Sequence, residues 1–447
     1  MGRPACWQRP YLPSTATGIL NRPVAGVQTD PATDLFPPEA PAQRTAKGDR
    51  TSTAKRTENN PRQVRLNRTT TQLVSIYNAS WSTFGGGDKF PIMMAIVLGR
   101  TCRVRLLVDN PIFTKENILR YFNLDTQGIE IATVRMRDVR VLLGESDIGI
   151  VLSNFIPFGN RATKNVCAIQ IPFTPITQRT IAAMALRGNL KQAAKDSLRL
   201  RLLADARRSD LVLANSAFVN DALRRNFRIS GSVLYPPIED FREHAHKENI
   251  ILSVGRIFRG MYNDKRYDVM LAAFKRLCAR RPEAPWRYHI VGSSGSDAAS
   301  VRYLNELKDS ADGYPVDFLV NISHEELKRQ FNRAVIFWHA AGYDADETTS
   351  PERTEHFGMS TVEAMSAGCV PVVINKGGQR EIVQHGSSGL VWNSIDELVD
   401  HTIRLMENGV LRDQLRTGAR ERYADFSYDK FADRLLSLFQ PLLTRHP

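Results

Sequence analysis

Two glutamates stand eight residues apart in this 447-residue chain, in the stretch Glu355-His-Phe-Gly-Met-Ser-Thr-Val-Glu363. An apolar segment at 335–341 is followed by the acidic, loop-like insertion 343–354, so Glu355 is predicted in the loop after a strand. Glu363 is predicted on a helix, which Gly368 is suited to end. His339, at the end of that strand, is either a satisfied core histidine or a contact to a ligand.

The start of that helix allows two interpretations. Ser360 and Glu363 have the S-x-x-E spacing of a capping box, in which the Glu363 side chain accepts a hydrogen bond from the Ser360 amide. In the other interpretation, free backbone amides at the helix N-terminus hold a phosphate or a sugar hydroxyl. Those amides would belong to Gly358, Met359, Ser360 and Thr361.

A run of three glycines, Gly85-Gly86-Gly87, lies between the first predicted strand and a predicted helix. Glycine lets the backbone approach a ligand closely, and a helix start binds anions. Gly86 and Gly87 are therefore candidate ligand contacts, and a tight turn without a ligand is the alternative. The run lacks the G-x-G-x-x-G spacing of a dinucleotide fingerprint.

Continuous apolar segments alternate with helical patterns along two stretches of the chain. The predicted strands cover 73–80, 104–109, 129–134, 147–153, 166–172, 210–216 and 232–237, then 250–255, 286–292, 316–321, 335–341 and 370–375. Helices are predicted at 90–98, 114–123, 179–206, 217–226, 267–280, 299–310, 324–333, 360–367, 395–407 and 411–443. This alternation predicts an α/β fold of two Rossmann-like domains that face each other across a cleft. Ligands bind at the carboxyl ends of strands in such sheets, so a site between the domains is expected.

Domain boundaries follow from changes in composition. Residues 1–70 hold nine of the 23 prolines and are predicted to be a disordered basic tail. The proline-rich and mixed-charge text at 236–249 is predicted as a linker. We therefore place the first domain at 71–243 and the second at 244–447, with a final helix that is free to cross back.

The net charge of +13 is concentrated in the first half of the chain. Residues 1–70 carry 11 lysines and arginines against 5 acidic residues, residues 71–240 carry 22 against 14, and residues 241–447 carry 27 against 28. This asymmetry indicates an anionic partner for the first half: a membrane surface, a nucleic acid or a phosphorylated substrate.

The segment 179–208 is rich in basic residues among alanines, leucines and methionine. Such a segment is typical either of a helix on an anionic membrane surface or of an ordinary outer helix. We expect three of its long side chains to point to water: Lys191, Lys195 and Arg199. No nucleic-acid motif accompanies it, so nucleic acid is not predicted as a partner.

Composition excludes several other classes of protein. No run approaches 18 apolar residues, so no membrane-spanning helix is predicted, and the first residues lack the apolar region of a secretory signal. The five cysteines have no repeating spacing, which fits reduced thiols, and no Cys/His group has zinc-ligand spacing. We expect a cytoplasmic protein, either free or peripheral on the inner membrane face.

The block at 355–373, with the pattern E-H-F-G-x-x-x-x-E-A-M-x-A-G-x-x-P-V-V, resembles the E-x7-E signature of retaining GT-B glycosyltransferases, family 4. It is similar in particular to mannosyltransferase-like members, including those that act on lipid-linked oligosaccharides. Three further sets of residues agree with that family in order: Ala214-Asn-Ser216 with Tyr235-Pro-Pro237, then Ser253-Val-Gly-Arg256, then Lys265. The resemblance covers roughly residues 73–440.

This resemblance implies a donor site for a GDP- or UDP-linked sugar and an acceptor that is a glycan or is lipid-linked. Glu363 would bind the ribose hydroxyls, and Glu355 would contact the donor sugar. Arg256 and Lys265 would offset the charge that grows on the leaving diphosphate, so no metal or other cofactor would be needed. The remaining donor contacts would come from the amides at 358–361 and from Gly86, Gly87 and His339.

The sequence departs from the family in two places. Members often carry a histidine after the fourth or fifth strand of the first domain, where Asn154 stands here. The gap between Arg256 and Lys265 is longer than usual, which makes Arg259 and Arg266 competitors for the lysine's role.

Two other functions stay open. One is a non-catalytic scaffold or glycan-binding protein, and the other is a nucleotide-sugar epimerase or hydrolase of the same fold. The four donor-site residues Arg256, Lys265, Glu355 and Glu363 are all present, which favours an enzyme.

Overall fold

A computed structural model describes the chain at residues 72–79, 81, 85–153, 160–260 and 264–443. All of them belong to one unit of the chain, Asn67–Pro447. The tail predicted at 1–70 and Asn154 lie outside the described residues.

The first half of the described chain forms a parallel sheet. Its strands are β1 (Leu73–Asn78), β2 (Arg103–Val108), β3 (Glu130–Thr133), β4 (Ile148–Leu152), β5 (Lys164–Ile169), β6 (Leu211–Ala214) and β7 (Ser232–Val233). They pair in the order β3-β2-β1-β4-β5-β6-β7. The intervening helices are α1 (Gly86–Leu98), α2 (Lys115–Phe122), α3 (Met136–Gly144), α4 (Gln178–Leu186), α5 (Leu190–Arg207) and α6 (Ala217–Phe227).

The second half repeats this plan. Its strands are β8 (Glu248–Val254), β9 (Arg287–Gly292), β10 (Val316–Val320), β11 (Ala334–His339), β12 (Val370–Ile374) and β13 (Leu390–Trp392), paired in the order β10-β9-β8-β11-β12-β13. The helices are α7 (Tyr267–Arg280), α8 (Ala298–Ala311), α9 (His324–Arg333), α10 (Met359–Ser366), α11 (Gln379–Ile382), α12 (Ile395–Glu407), α13 (Gly409–Tyr423) and α14 (Tyr428–Leu443). The predicted pair of parallel α/β domains is confirmed.

The central strands explain why the sequence pattern was readable. Both β4 and β12 are buried at every position. A strand covered on both faces needs an unbroken apolar sequence, and helices with one apolar stripe cover each face.

The last helix belongs by packing to the first sheet. Phe431 of α14 lies edge-on to Phe90 of α1, with 5.8 Å between the ring centroids. Leu435 and Phe439 of α14 are fully buried in the same core as the β1 and β2 side chains. After the second sheet is complete, the chain thus returns to the first sheet through its C-terminal helix.

Two long helices predicted from the sequence are interrupted. The segment 179–206 forms α4 and α5, which are separated at Gly188, where φ is +78°. The segment 411–443 forms α13, a short 3-10 turn at Ala424–Phe426, and α14. Glycine in a left-handed conformation at Gly188 ends α4.

The expectation that Arg199 points to water is wrong. This arginine is buried on the inner face of α5 and forms an ion pair of 2.9 Å with Asp196. Its guanidinium also lies 5.5 Å from the ring centroid of Phe173. Lys191 and Lys195 are exposed, as expected.

Parallel strands bring their carboxyl ends to one edge of each sheet, and the candidate residues lie at those edges. The glycine run follows β1, Arg256 follows β8, and His339 is the last residue of β11. Among the described helices, none has the length and apolar character to cross a membrane.

Candidate active site

Three side chains meet at the carboxyl end of the second sheet. The Glu355 Oε2 atom accepts a hydrogen bond from the Lys265 ammonium and lies 3.0 Å from His339 Nε2. All three come from different segments: the loop before α7, the end of β11 and the loop before α10. Sequence reasoning named all three, and the structure brings them together.

These two neighbours fix the charge of Glu355. Burial alone raises the pKa of this carboxyl, but the Lys265 ammonium and the His339 hydrogen bond outweigh it and hold the pKa well below its usual range. Burial lowers the pKa of His339, which opposes its protonation. Glu355 is therefore an ionised, immobilised carboxylate, unsuited to accept or release protons near neutral pH.

Lys265 can reach Glu355 because Gly255 has no side chain. A Cβ atom at Gly255 would lie 2.7 Å from Lys265 Cε. The Gly255 carbonyl is held by the Tyr267 hydroxyl at 2.8 Å. Gly255 is thus a supporting residue that sequence reasoning missed, although the Val-Gly-Arg motif signalled it.

The two competing arginines are engaged elsewhere. Arg259 pairs with Asp268 and Glu306 at 3.7 and 3.8 Å. Arg266 pairs with Asp268 and Asp344 at 3.0 and 2.5 Å. Lys265 is the cation that contacts Glu355.

Arg256 stands two residues beyond β8 and is exposed. Its guanidinium lies 5.1 Å from the ring centroid of Phe258, and no carboxylate of the described residues pairs with it. An unpaired planar guanidinium at a strand end is suited to bind a phosphate through two hydrogen bonds.

Of the two interpretations of this helix start, the capping box at Ser360 is wrong. Helix α10 begins at Met359, and its N-cap is Gly358, which has a φ of +121° and supplies no side chain. A Cβ atom at Gly358 would lie 2.6 Å from Gln379 Nε2, which excludes the residue types that usually cap helices. Ser360 is consequently inside the helix rather than at its cap.

The first turn of α10 therefore contains backbone N–H groups that have no acceptor among the described residues. In the described part of the chain, the amides of Gly358, Met359 and Ser360 have no acceptor. Thr361 differs, because its amide bonds to the Gly358 carbonyl at 3.0 Å and its hydroxyl to Gln379 at 2.9 Å. The structure thus leaves three of the four predicted amides available to an anion.

Glu363 lies one turn further along α10 and is partly buried. Its carboxylate makes no hydrogen bond or ion pair with any described residue. Burial raises its pKa, and nearby Lys89 and His324 offset only part of that effect. A carboxylate with open acceptor sites in such surroundings is suited to receive hydroxyl donors from a ligand.

The glycine run of the first domain lies against this helix. A Cβ atom at Gly86 would fall 1.9 Å from Met359 Cε, so a larger residue there would have to displace the methionine side chain. Gly87 is exposed, and a Cβ atom there would meet nothing closer than 4.0 Å. Gly86 therefore serves close packing of the two domains, while Gly87 leaves its space open to a ligand.

A second glycine pair, which sequence reasoning missed, supports the Glu355 loop. The Gly378 amide donates to the Glu355 carbonyl at 2.8 Å. A Cβ atom at Gly377, where φ is +59°, would lie 2.2 Å from the same carbonyl oxygen. The Asn-Lys-Gly-Gly sequence directly after β12 is typical of a turn and was the feature from which this support could have been predicted.

Residues of the first domain also hold this loop. The Ser216 hydroxyl, at the N-cap of α6, donates to the His356 carbonyl at 2.6 Å. The Glu381 carboxylate accepts hydrogen bonds from the amides of Ala217 and Phe218 and from the Tyr235 hydroxyl, at 2.7, 3.2 and 2.9 Å. The Ala-Asn-Ser and Tyr-Pro-Pro segments thus act at the contact between the domains.

The acidic, loop-like insertion at residues 343–354 is part of the same contact. The Thr174 hydroxyl of the first domain donates to Glu352 at 2.5 Å, and the Glu352 carbonyl lies 3.0 Å from His356 Nε2. The insertion thus packs beside the Glu355 loop. Within the described ranges, no cluster of three or more His, Cys, Asp or Glu residues is arranged to hold a metal ion.

Comparison with known proteins points to one family. Residues 237–422 match the family model of the glycosyl transferases group 1. The GDP-Man:Man(3)GlcNAc(2)-PP-Dol alpha-1,2-mannosyltransferase of Xenopus laevis is 29% identical over 256 residues, which are 52% of this chain and 49% of that protein. The chain spans about half the length of the curated relatives it matches.

Solved structures share the fold over more of the chain. A glycosyltransferase from Rickettsia africae covers 85% of this chain and 100% of its own, with a TM-score of 0.62 and 14% identity. Anabaena HepE in complex with UDP and glucose covers 83% of this chain and 100% of its own, with a TM-score of 0.58 and 15% identity. The described chain therefore has the GT-B fold, and its residues 237–422 are similar to the glycosyl transferases group 1.

Proposed function

We propose that this chain is a retaining, metal-independent glycosyltransferase that moves a hexose from a GDP- or UDP-linked donor to a lipid-linked glycan. The observation that supports this proposal is the group of candidate sugar-donor contacts at the carboxyl end of the second sheet. There Lys265 is paired with Glu355 beside the open amides that begin α10, while Arg256 and Glu363 have no hydrogen-bond or ion-pair partner among the described residues. Mannose is the preferred sugar, because several curated relatives are named as mannosyltransferases.

The chemistry follows from where charge develops. When the bond from the sugar to the diphosphate breaks, negative charge grows on the leaving phosphate oxygens. Arg256, Lys265 and the amides of Met359 and Ser360 supply fixed positive charge and dipoles for it, so the residues themselves can do what a divalent cation does elsewhere. Positive charge grows at the same time on the sugar ring, and the ionised Glu355 can stabilise it.

The two ends of the donor have separate contacts. Glu363, one turn along α10, would accept hydrogen bonds from the ribose hydroxyls. On the acceptor side, the leaving phosphate would take the proton as the acceptor oxygen attacks from the same face. This arrangement retains the configuration at the anomeric carbon and requires no protein base, which agrees with the depressed pKa of Glu355.

The acceptor would bind the basic first domain. Residues 71–240 carry 22 basic against 14 acidic residues, which suits the diphosphate of a lipid-linked glycan. We place the enzyme in the cytoplasm, attached peripherally to the membrane that holds such an acceptor.

The experiment combines donor selection with product analysis. GDP-, UDP- and ADP-sugars are first screened for thermal stabilisation of the full chain, since a ligand that binds only the folded state raises its stability. The stabilising donor is then incubated in EDTA with a lipid-diphosphate oligosaccharide, and the new linkage is assigned by NMR. We expect a product with the donor's anomeric configuration.

Four results would contradict the proposal. An inverted linkage excludes the retaining mechanism, and a strict Mg²⁺ or Mn²⁺ requirement in the chemical step excludes metal independence. Donor binding with hydrolysis alone favours a hydrolase, and binding without any turnover favours a scaffold. Arg259→Ala is the matched control for variants of Arg256, because Arg259 is paired away from the site.

A further inference from the structure

The helical hairpin formed by α4 and α5 has an unusual surface. In α4 (Gln178–Leu186) not one residue is buried, although the helix contains isoleucine, methionine and leucine. The tip of the hairpin exposes Leu186 to 89% and Leu190 to 67%, on either side of Gly188. Leu186 is the most exposed of the large apolar side chains that the structure describes. Leucines at a solvent-exposed helix tip indicate a surface that is covered in the working protein.

The exposed charges of this hairpin are mostly basic, and Arg187, Lys191 and Lys195 are the ones next to its tip. Seven basic side chains of the segment 178–208 are exposed: Arg179, Arg187, Lys191, Lys195, Arg201, Arg207 and Arg208. Of its two acidic residues, Asp196 is buried and paired with Arg199, so it does not offset the exposed charges. An exposed apolar tip beside basic side chains is complementary to a surface in which anionic groups overlie an apolar layer.

From this combination we infer that the α4–α5 hairpin is the membrane-docking element of the chain and that Leu186 and Leu190 enter an anionic leaflet. The inference rests on the proposed function, since a lipid-linked acceptor requires the enzyme to reach a membrane. The basic side chains bind the headgroups, and the two leucines add the apolar contact that distinguishes a lipid surface from a soluble polyanion. A nucleic acid would engage the charges and leave the leucines in water.

Helix α3 extends the same surface. The connections β3 to β4 and β5 to β6 run in the same direction along the parallel sheet, so right-handed crossovers place α3 and the hairpin on one face. On α3, Met136 and Val141 are 51% and 66% exposed, Arg140 is exposed between them, and Arg137 is exposed and pairs with Asp138 at 3.8 Å. The first domain thus offers two apolar and basic contacts on one side.

The test uses the full chain and vesicles of phosphatidylcholine with or without phosphatidylserine. We expect the wild type to sediment only with anionic vesicles and to dissociate as salt rises. The double variant Leu186→Asp/Leu190→Asp should bind about tenfold or more weakly, because both positions then carry a charge where apolar burial is needed. The matched control is Val410→Asp on α13, a residue that is 71% exposed in the second domain and should leave binding unchanged.

A fluorescence measurement separates insertion from attraction of the basic tail. The emission of the Leu186→Trp variant should shift to shorter wavelength on anionic vesicles and be quenched by brominated acyl chains, whereas Val410→Trp should show neither effect. Full binding by the double aspartate variant, or unshifted emission from Leu186→Trp, would overturn the inference. Binding lost only after charge reversal of Lys191 and Lys195, with no effect of the leucine changes, would also overturn it and indicate a purely electrostatic surface.

The same variants keep this inference apart from the proposed function. Transfer to a water-soluble, short-chain lipid-diphosphate acceptor should be unchanged in Leu186→Asp/Leu190→Asp, because the donor site is untouched. If the wild type transfers sugar to that acceptor but never binds vesicles, only the docking inference fails. If it binds vesicles through the leucines and transfers nothing with any donor, only the proposed function fails.

Discussion

Glu355 and Glu363 lie eight residues apart, yet the fold gives their carboxylates opposite surroundings. Lys265 and His339 surround Glu355 with donors, so its ionised form is favoured in spite of burial. Glu363 is kept partly buried without a partner among the described residues, so its ionised form is disfavoured. One glutamate is thus satisfied by the protein, and the other retains binding capacity for a ligand.

This contrast predicts that Glu363→Gln stabilises the unliganded protein near neutral pH. Because the pKa of Glu363 is raised on folding, the ionised carboxylate costs stability at pH above its unfolded pKa. The gain in Tm should be present at pH 7 and disappear near pH ~4, where the side chain becomes protonated in both states. Donor affinity should fall about tenfold or more, since hydrogen bonds to a charged acceptor are lost. Calorimetric melting and donor titration at both pH values measure these effects.

Glu355→Gln should do the reverse and serves as the paired variant. The pKa of Glu355 is lowered on folding, so its stabilising effect is present above the unfolded pKa and is lost as pH falls through and below that value. The variant should therefore melt at a lower temperature at pH 7 and approach the wild type in acid. Equal shifts of the same sign for both variants would contradict the assigned surroundings.

Arg256 gives the second prediction at this scale. Arg256→Ala should lower the transfer rate on the order of 10²–10³-fold, as expected for loss of one preorganised group that stabilises developing charge. It should also weaken inhibition by the free nucleoside diphosphate, while Tm stays near that of the wild type because the side chain is exposed. Steady-state kinetics beside Arg259→Ala provide the comparison. Unchanged kinetics would remove Arg256 from the site.

At the scale of elements, the turn after β12 positions the Glu355 loop. Gly377 has a φ of +59°, and an added Cβ would lie 2.2 Å from the Glu355 carbonyl oxygen. Gly377→Ala should therefore combine backbone strain with displacement of the loop and weaken donor binding as well as stability. Gly386→Ala, at a φ of +79° with nothing within 4 Å of the added Cβ, should cost only the strain, on the order of 1 kcal/mol, with donor affinity unchanged. Urea unfolding and donor titration of both variants test this difference.

Strands were predictable from the sequence because burial on both faces leaves a continuous apolar signature, as in β4 and β12. The start of α10 was harder, since the S-x-x-E spacing at Ser360 is compatible with a cap that the structure does not form. Its N-cap is Gly358, where a Cβ atom would lie 2.6 Å from Gln379 Nε2, a tertiary restriction that local spacing does not encode. The end of the same helix was predictable, because Gly368 follows the last turn with a φ of +76°.

At the scale of the whole molecule, the candidate site likewise contains residues that the sequence predicts and others that only contacts between distant segments define. Chemistry-bearing residues such as Lys265 and Glu355 were named from motif and residue type. The partners that hold them, Gly255, Gly377 and Glu381, depend on contacts between segments distant in sequence and were not predicted. Charge asymmetry along the chain directed attention to 179–208, but only the fold revealed that Arg199 faces inward.

The two domains contact each other beside the Glu355 loop through a small set of polar contacts. Glu381, from the second domain, accepts hydrogen bonds from two amides at the start of α6 and from the Tyr235 hydroxyl. Ser216, at the same helix start, donates to the backbone of the Glu355 loop. The proposed donor contacts are divided between the domains, so we expect donor binding to depend on the relative position of the two domains.

Glu381→Ala should therefore weaken donor binding although Glu381 touches no proposed donor contact. The change leaves the amides of Ala217 and Phe218 and the Tyr235 hydroxyl without their acceptor, a loss of about 2 kcal/mol or more. If the domain contact then forms in only about a tenth of molecules, the apparent donor Kd rises about tenfold while the intrinsic site is unchanged. Isothermal titration gives the affinity, and faster proteolysis in the linker at 236–249 reports separation of the domains.

The comparison is Asp221→Ala on α6, whose pair with Arg224 is exposed and should contribute little. Wild-type affinity and proteolysis in Glu381→Ala would mean that the remaining contacts, Ser216 with His356 and Thr174 with Glu352, hold the domains without it.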